Sequence, residues 1–455
     1  MNNAPWDTHH DAVQLAAAFR DKTLTPSELA ERALAAAAKA PEAFICLTPE
    51  RARREAAEAT RRWRLGSPLS ALDGIPIAWK DLFDLAATRT SAGSATRAAA
   101  SPAITDATVV AQLQAAGLVS IGKTNLSEFA YSGLGLNPHF GTPAIFDRDG
   151  LAHAPGGSSS GSASAVARGI VPIAIATDTA GSIRIPAAFH GLIGYRSSSK
   201  RYSRRGVFPL APSLDTLGPL CRSVRDAIAL DRLLAPAAHP VPLIPLTRMT
   251  LRVDVEALHA PQVQPAVRQN LLATLARLRA AGARIDERPV AALHQALAWL
   301  AERGWPGSAE ALAQHRELLN SPLAEKMDPR VRSRLLAAEA LPAELLPEFL
   351  QQRAGWQQQM RDELAGALLV TPTVAHVAPP LAALENDAER FARVNLATLR
   401  LTMPGSLLDM PGVALPTGQD DTGLATSLLL ALPNGDDERL LSMALSIERR
   451  LTTQD

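Results

Sequence analysis

Between about residues 130 and 220 the chain is crowded with glycine, serine, threonine and proline, and charges thin out. Such a stretch folds through tight turns and close backbone approaches. It is densest at Gly156-Gly157-Ser158-Ser159-Ser160-Gly161-Ser162, which runs into a helical Ala163 to Arg168. A second dense point, Thr177-Asp178-Thr179-Ala180-Gly181-Ser182, follows a buried-strand pattern at Val171 to Ala176.

Around this block helix and strand patterns alternate. Thr25-Pro26-Ser27-Glu28 joins a capping residue, a proline at the first helical position and a glutamate three residues after the cap, opening a helix through Ala40. Arg51 to Arg64 reads as a helix whose mixed charges face water. Gly74 to Lys80 reads as a short buried strand ending on a charge, Thr105 to Ala116 as an amphipathic helix closed by Gly117, and Leu118 to Ile121 as a strand. Further on come a helix at Pro265 to Ala281, a strand at Ala283 to Ile285, a helical region at 290–365, a strand at Leu368 to Pro372 and a closing helix at Asp437 to Arg450. The alternation predicts an α/β protein. Its 455 residues could hold up to roughly three domains. Without repeats, low-complexity linkers or a clear boundary, they read as one, spanning 1–455.

Lys+Arg 46 against Asp+Glu 45 leaves a net charge of +1, which argues against nucleic acid or an anionic membrane as the main partner. Two cysteines, Cys46 and Cys221, are too few for a disulfide framework or a thiolate metal site. His9, His10, His139, His153, His190 and the other histidines lack metal-ligand spacing, so no metal is expected. Met1 to His10 is polar and unlike a signal peptide. No apolar run reaches the roughly 18 residues of a membrane span. The expectation is a soluble cytoplasmic protein.

Three motif matches mislead. Gly117-Leu118-Val119-Ser120-Ile121-Gly122-Lys123-Thr124 fits the phosphate-loop pattern, but that loop must follow a strand and precede a helix. Here a helix comes first and the intervening residues are themselves a strand. Gly157-Ser158-Ser159-Ser160-Gly161 fits the nucleophile-elbow pattern around Ser159, yet Pro155 stands where the feeding strand should run. The Ser-x-x-Lys matches at Ser120 to Lys123 and Ser197 to Lys200 lack companion motifs.

Lys80 is one of only six lysines and follows Ile75-Pro76-Ile77-Ala78-Trp79, an apolar approach that would carry it into the core. Desolvation disfavours the ammonium, and a neutral lysine can take a proton from a hydroxyl. The competing reading pairs Lys80 with Asp81 or Asp84, or lets it snorkel to the surface. The small residues before Ser182 would let successive N–H groups converge on one space, an anion nest suited to an oxyanion. Both loops could equally be tight turns with helix caps.

With these stretches in view, the sequence closely resembles the amidase signature family. The matching segments are Asp73 to Asp81, Gly122-Lys123-Thr124-Asn125-Leu126-Ser127-Glu128-Phe129, the loop at 156–162, Thr177 to Pro186, Ser213 to Pro219 and Asn434 to Leu441, in family order. The resemblance implies a single large domain with a central mixed sheet flanked by helices on both faces. It implies Lys80 as general base, Ser182 as nucleophile and Ser158 as the serine bridging them, often through a cis peptide. The N–H groups of Thr179, Ala180, Gly181 and Ser182 would then hold the oxyanion, with no cofactor and no metal. The implied activity is hydrolysis of a small or medium carboxamide; the alternative is an A-type subunit of a glutamine-dependent amidotransferase. The expected partner is an amide substrate, with a homodimer left open. Phe129 and Tyr131 are candidates for the acyl pocket, covered by the divergent region at 290–365. Arg184 is expected to pair with Asp178. Arg196, Lys200, Arg201, Arg204 and Arg205 read as a solvated basic loop or an anion site at the pocket mouth. Departures from the family pattern are Ser160 and Ala180, each where glycine is usual, and the segment at 194–199.

Overall fold

The computed structural model describes residues 10–235 and 242–452. The polar N-terminal stretch lies outside them, apart from His10. The strands are β1 (Phe44–Leu47), β2 (Pro76–Lys80), β3 (Val119–Thr124), β4 (Ile145–Phe146), β5 (Ala152–His153), β6 (Ile173–Asp178), β7 (Ile193–Arg196), β8 (Thr216–Cys221), β9 (Thr250–Val253), β10 (Arg284–Glu287), β11 (Leu368–Pro372), β12 (Gly412–Gln419) and β13 (Ala425–Ala431). Eleven form one sheet in the order β1-β3-β2-β6-β8-β7-β12-β13-β11-β9-β10; β4 and β5 make a separate hairpin. The sheet is mixed: β2 runs parallel to β3 and β6, whereas β6 and β8 are antiparallel. This is a single α/β domain.

Strand alternation explains how the central strands are covered. Ile77 and Trp79 of β2, with Ile173 and Ile175 of β6, enter a core built largely of bulky side chains. Ala78, Ala174 and Ala176 face the opposite way, into a core that includes Ala163, Ala165 and Val166 of the helix Ser160–Ala167. Successive residues of a strand point to opposite faces, so the alanine face lets that helix approach closely. Lys80 ends β2, and Asp178 ends β6 before the turn to Ser182.

The helix after Thr25 forms over Pro26–Ala37 with its capping box in place. Three expectations shift. The helix expected from Thr105 begins at Thr108, and β3 continues past Ile121 through Gly122 and Lys123 to Thr124, so the phosphate-loop match is extended chain. Not all charges of the helix Pro49–Arg64 face water. Glu55 is buried, pairs with Arg51 at 2.7 Å and accepts the Ser120 N–H at 2.8 Å, filling an otherwise unpaired polar spot beside β3. The region at 290–365 holds the helices Ala291–Arg303, Pro306–Leu319, Pro329–Ala337 and Leu345–Leu364.

Candidate active site

Lys80 is fully buried. Its Nζ donates to Ser158 Oγ at 2.7 Å and to Thr177 Oγ1 at 2.9 Å. Neither Asp81 nor Asp84 takes it: Asp81 lies 2.6 Å from Lys123 Nζ, and Asp84 accepts from Thr90 at 2.7 Å. Burial draws the Lys80 pKa down to about 7, against the opposing pull of the Asp178 and Asp215 carboxylates. A lysine so placed is a neutral amine for much of the time at neutral pH.

The peptide bond between Gly157 and Ser158 is cis. A Cβ at Gly157 would lie 2.5 Å from Gly135 N and 2.7 Å from Ser132 O, so only glycine lets the loop pass this close to the chain at 132–135. The Gly157 N–H is taken by the Gly133 carbonyl, and the Gly133 N–H by Asn395 Oδ1, both at 2.8 Å. Ser160, where the family pattern has glycine, carries a buried hydroxyl with no partner among the described residues.

Ser182 is almost fully buried, and its hydroxyl makes no hydrogen bond to the described residues. Lys80 and Ser158 are thus in direct contact, whereas the link from Ser158 to Ser182 is not closed in this conformation. The turn carrying Ser182 is held from three sides. Asp178 accepts the Ile183 N–H at 3.1 Å and pairs with Arg184 at 2.9 Å, the pairing expected from the sequence. Asp215 accepts from Thr179 Oγ1 at 2.6 Å. Thr402 Oγ1 donates to the Ala180 carbonyl. Within this turn no acceptor among the described residues takes the N–H of Thr179, Ala180, Gly181 or Ser182. Burial pushes the Asp178 carboxyl up, but Arg184 and Arg196 overcome it and hold the group far below the usual carboxylate range.

The basic cluster divides: three arginines turn inward to partners within the chain, and two residues stay on the surface as a solvated loop would. Arg196 is fully buried, 3.5 Å from Asp178 Oδ1 and 3.4 Å from Asp409 Oδ1. Arg201 pairs with Asp231 at 2.6 Å and Glu438 at 3.0 Å, and Arg204 donates to the Pro212 and Asp215 carbonyls. Lys200 and Arg205 remain exposed. The chain places an acid or a carbonyl opposite each inward-pointing arginine, which a local charge count cannot reveal.

Phe129 and Tyr131 are buried against the helical region. Phe129 adopts φ 53° and lies 4.2 Å, centroid to centroid, from His315. Tyr131 Oη bonds Ser308 Oγ at 2.6 Å, and Arg334 sits over its ring at 4.2 Å. A cavity of about 220 Å³ borders the site, lined by Leu82, Thr177, Phe208, Leu210 and Asp215 among others. Thr177 and Asp215 gain roles that their sequence context does not assign, although both lie inside matching segments. Asn395 and Thr402 lie outside every motif.

The site thus joins a deeply buried lysine–serine pair, through Thr177 near the end of β6, to a turn that ends in serine and whose N–H groups no described residue takes. This chain belongs to the Amidase family, hydrolases that act on the C–N bonds of amides; the family model matches residues 28–441. It is 32% identical over 411 residues to a 2-amino-5-chloromuconic acid deaminase of Comamonas testosteroni, covering 88% of this chain and 86% of that one. It is 33% identical to the A-type subunit of the glutamyl-tRNA(Gln) amidotransferase of Deinococcus radiodurans, over 96% of each. A crystal structure of an amidase superposes with a TM-score of 0.85 at 32% identity, covering 97% of this chain and 100% of that one. Among the described residues no helix is long and apolar enough to cross a membrane.

Proposed function

We propose that this protein hydrolyses a small or medium carboxamide to carboxylate and ammonia through an acyl-enzyme on Ser182. The observation that carries the reading is Lys80, fully buried with Nζ 2.7 Å from Ser158 Oγ, where burial draws its pKa down to about 7. Lys80 takes the Ser158 proton as Ser158 takes that of Ser182, a link closed by rotation of the Ser182 hydroxyl as substrate enters. Ser182 Oγ attacks the carbonyl carbon, and the N–H groups of Thr179, Ala180, Gly181 and Ser182 receive the oxyanion. In other hydrolases one such donor is worth about 3 kcal/mol. The relay then returns the proton to nitrogen, ammonia leaves, and water opens the acyl-enzyme by the reverse path. Phe129 and Tyr131 wall the acyl pocket, and the helices of 290–365 cover it.

The test is ammonia release by purified protein across aliphatic, aromatic, ureido and glutamine amides. Ser182→Ala should abolish it and Lys80→Ala nearly so, with the fold retained; full activity in Ser182→Ala would overturn the mechanism. The end-to-end likeness to the A-type subunit of an amidotransferase supports a second reading, in which the chain feeds ammonia to a partner. Size-exclusion and pull-down from the native host separate the two, since a stoichiometric partner favours the assembly.

A further inference from the structure

Thr402 belongs to none of the motifs, yet it touches the turn that carries Ser182. Its Oγ1 is 2.5 Å from the Ala180 carbonyl oxygen, across 222 positions of sequence, and Thr402 is fully buried. The same hydroxyl lies 3.0 Å from the Leu399 carbonyl, so its single proton has two acceptors, of which Ala180 is the nearer. The Thr402 carbonyl in turn accepts from Arg184 Nη1 at 3.1 Å, and Arg184 is locked to Asp178. Thr402 is thereby fixed at both its hydroxyl and its backbone.

Peptide geometry turns this contact into a statement about the reaction. The bond between Ala180 and Gly181 is trans, so the Ala180 carbonyl and the Gly181 N–H lie in one plane and point opposite ways. A hydroxyl that holds the carbonyl on one side aims the N–H to the other. Gly181 has φ 141°, and a Cβ there would lie 2.3 Å from Thr402 Oγ1, so only glycine lets Thr402 come this close to the turn. Oxyanion stabilisation depends on donors aimed in advance at the developing charge.

We propose that Thr402 is a positioning residue for the oxyanion site: by holding the Ala180 carbonyl it directs the Gly181 N–H toward the carbonyl that Ser182 attacks. This rests on the reading of Ser182 as nucleophile. Thr402→Val keeps the shape and removes the donor; Thr402→Ser keeps the donor. The probe is an alkyl fluorophosphonate, from which Ser182 Oγ displaces fluoride while the phosphoryl oxygen occupies the oxyanion site; mass spectrometry locates the adduct. The expected result is labelling and kcat reduced roughly 10- to 100-fold in Thr402→Val, with KM within about threefold, and both restored in Thr402→Ser. Thr402→Val labelled at the wild-type rate, or a loss confined to KM, would overturn the proposal. Should Thr402→Val not fold, Thr402→Ala against Thr402→Ser gives the same contrast. Wild-type protein that is not labelled at Ser182 would refute the nucleophile assignment instead, which keeps the two failures apart.

Discussion

Two neighbouring strands carry buried lysines at or next to their ends, and the two meet different partners. Lys80 closes β2 and Lys123 lies one residue before the end of β3, and neither reaches solvent. Lys123 meets a carboxylate, Asp81 at 2.6 Å, with the Arg89 carbonyl at 2.7 Å and Thr90 Oγ1 at 2.9 Å completing its shell. Among the described residues Lys80 Nζ donates only to hydroxyls, those of Ser158 and Thr177. Burial is the same and the partners differ. An adjacent carboxylate makes the first an ion pair, whereas the second is left with a proton it can give up near neutrality. The acids whose charge acts on Lys80, Asp178 and Asp215, are already engaged by Arg184 and Thr179.

The comparison breaks if the two lysines can be exchanged in effect. The largest expected difference is in turnover: Lys80→Met should lower kcat by at least about 10³-fold, as loss of a catalytic base does in related chemistry. Its melting temperature should hold or rise, because a desolvated amine is removed. Lys123→Met should do the reverse. It strands Asp81 as an uncompensated buried charge and should cost about 3–5 kcal/mol of stability, with kcat of the remaining folded protein changed little. Paired denaturant melts and active-site-normalised rates measure both. A Lys80→Met protein as destabilised as Lys123→Met would show that Lys80 is a structural cation after all.

Adding Asp81→Asn to Lys123→Met sharpens the point. Removing the stranded charge should recover about half of the lost stability, a coupling that a double-mutant cycle reads directly. Recovery should be incomplete, because the Arg89 carbonyl and Thr90 Oγ1 also lose the Lys123 donor that reaches them at 2.7 and 2.9 Å.

Much of this contrast is legible in the amino-acid order, and the reasons the rest is not are physical. The apolar run into Lys80 marks a buried strand end because burial is written locally, in side chains that alternate across one strand. The phosphate-loop match at Lys123 falls on element order alone. What stays hidden are contacts between distant parts of the chain. Arg196 sits in a basic stretch and looks like surface; its acids, Asp178 and Asp409, are 18 and 213 positions away. Thr402 and Asn395 carry no periodicity or spacing that marks them, although both brace the serine loops from outside. The strand β7 (Ile193–Arg196) is hard to read because the segment at 194–199 departs from the family pattern at the place where its hydrogen bonds to β12 are made.

The pH profile gives a smaller effect with a definite sign. As the proposed base Lys80 has to be neutral, and burial draws its pKa down to about 7. The logarithm of kcat/KM should therefore rise with pH, bend near 7 and level off above it; a profile flat from about pH 5 to 9 would remove Lys80 as the base.

The smallest effect isolates what the hydroxyl partners contribute. Thr177 Oγ1 accepts a hydrogen bond from Lys80 Nζ, and an ammonium donates more strongly than an amine, so this bond favours the charged form. Hydrogen bonds to charged groups exceed those to neutral ones by about 1 kcal/mol, which corresponds to roughly 0.7 of a pKa unit. Thr177→Val keeps the β-branched shape that suits β6 and deletes the acceptor. The bend in its profile should move to lower pH by about that amount, with the plateau rate little changed. A shift to higher pH would mean that Thr177 stabilises the neutral amine, and the tuning of Lys80 would then rest on burial in a different balance with its hydroxyl neighbours.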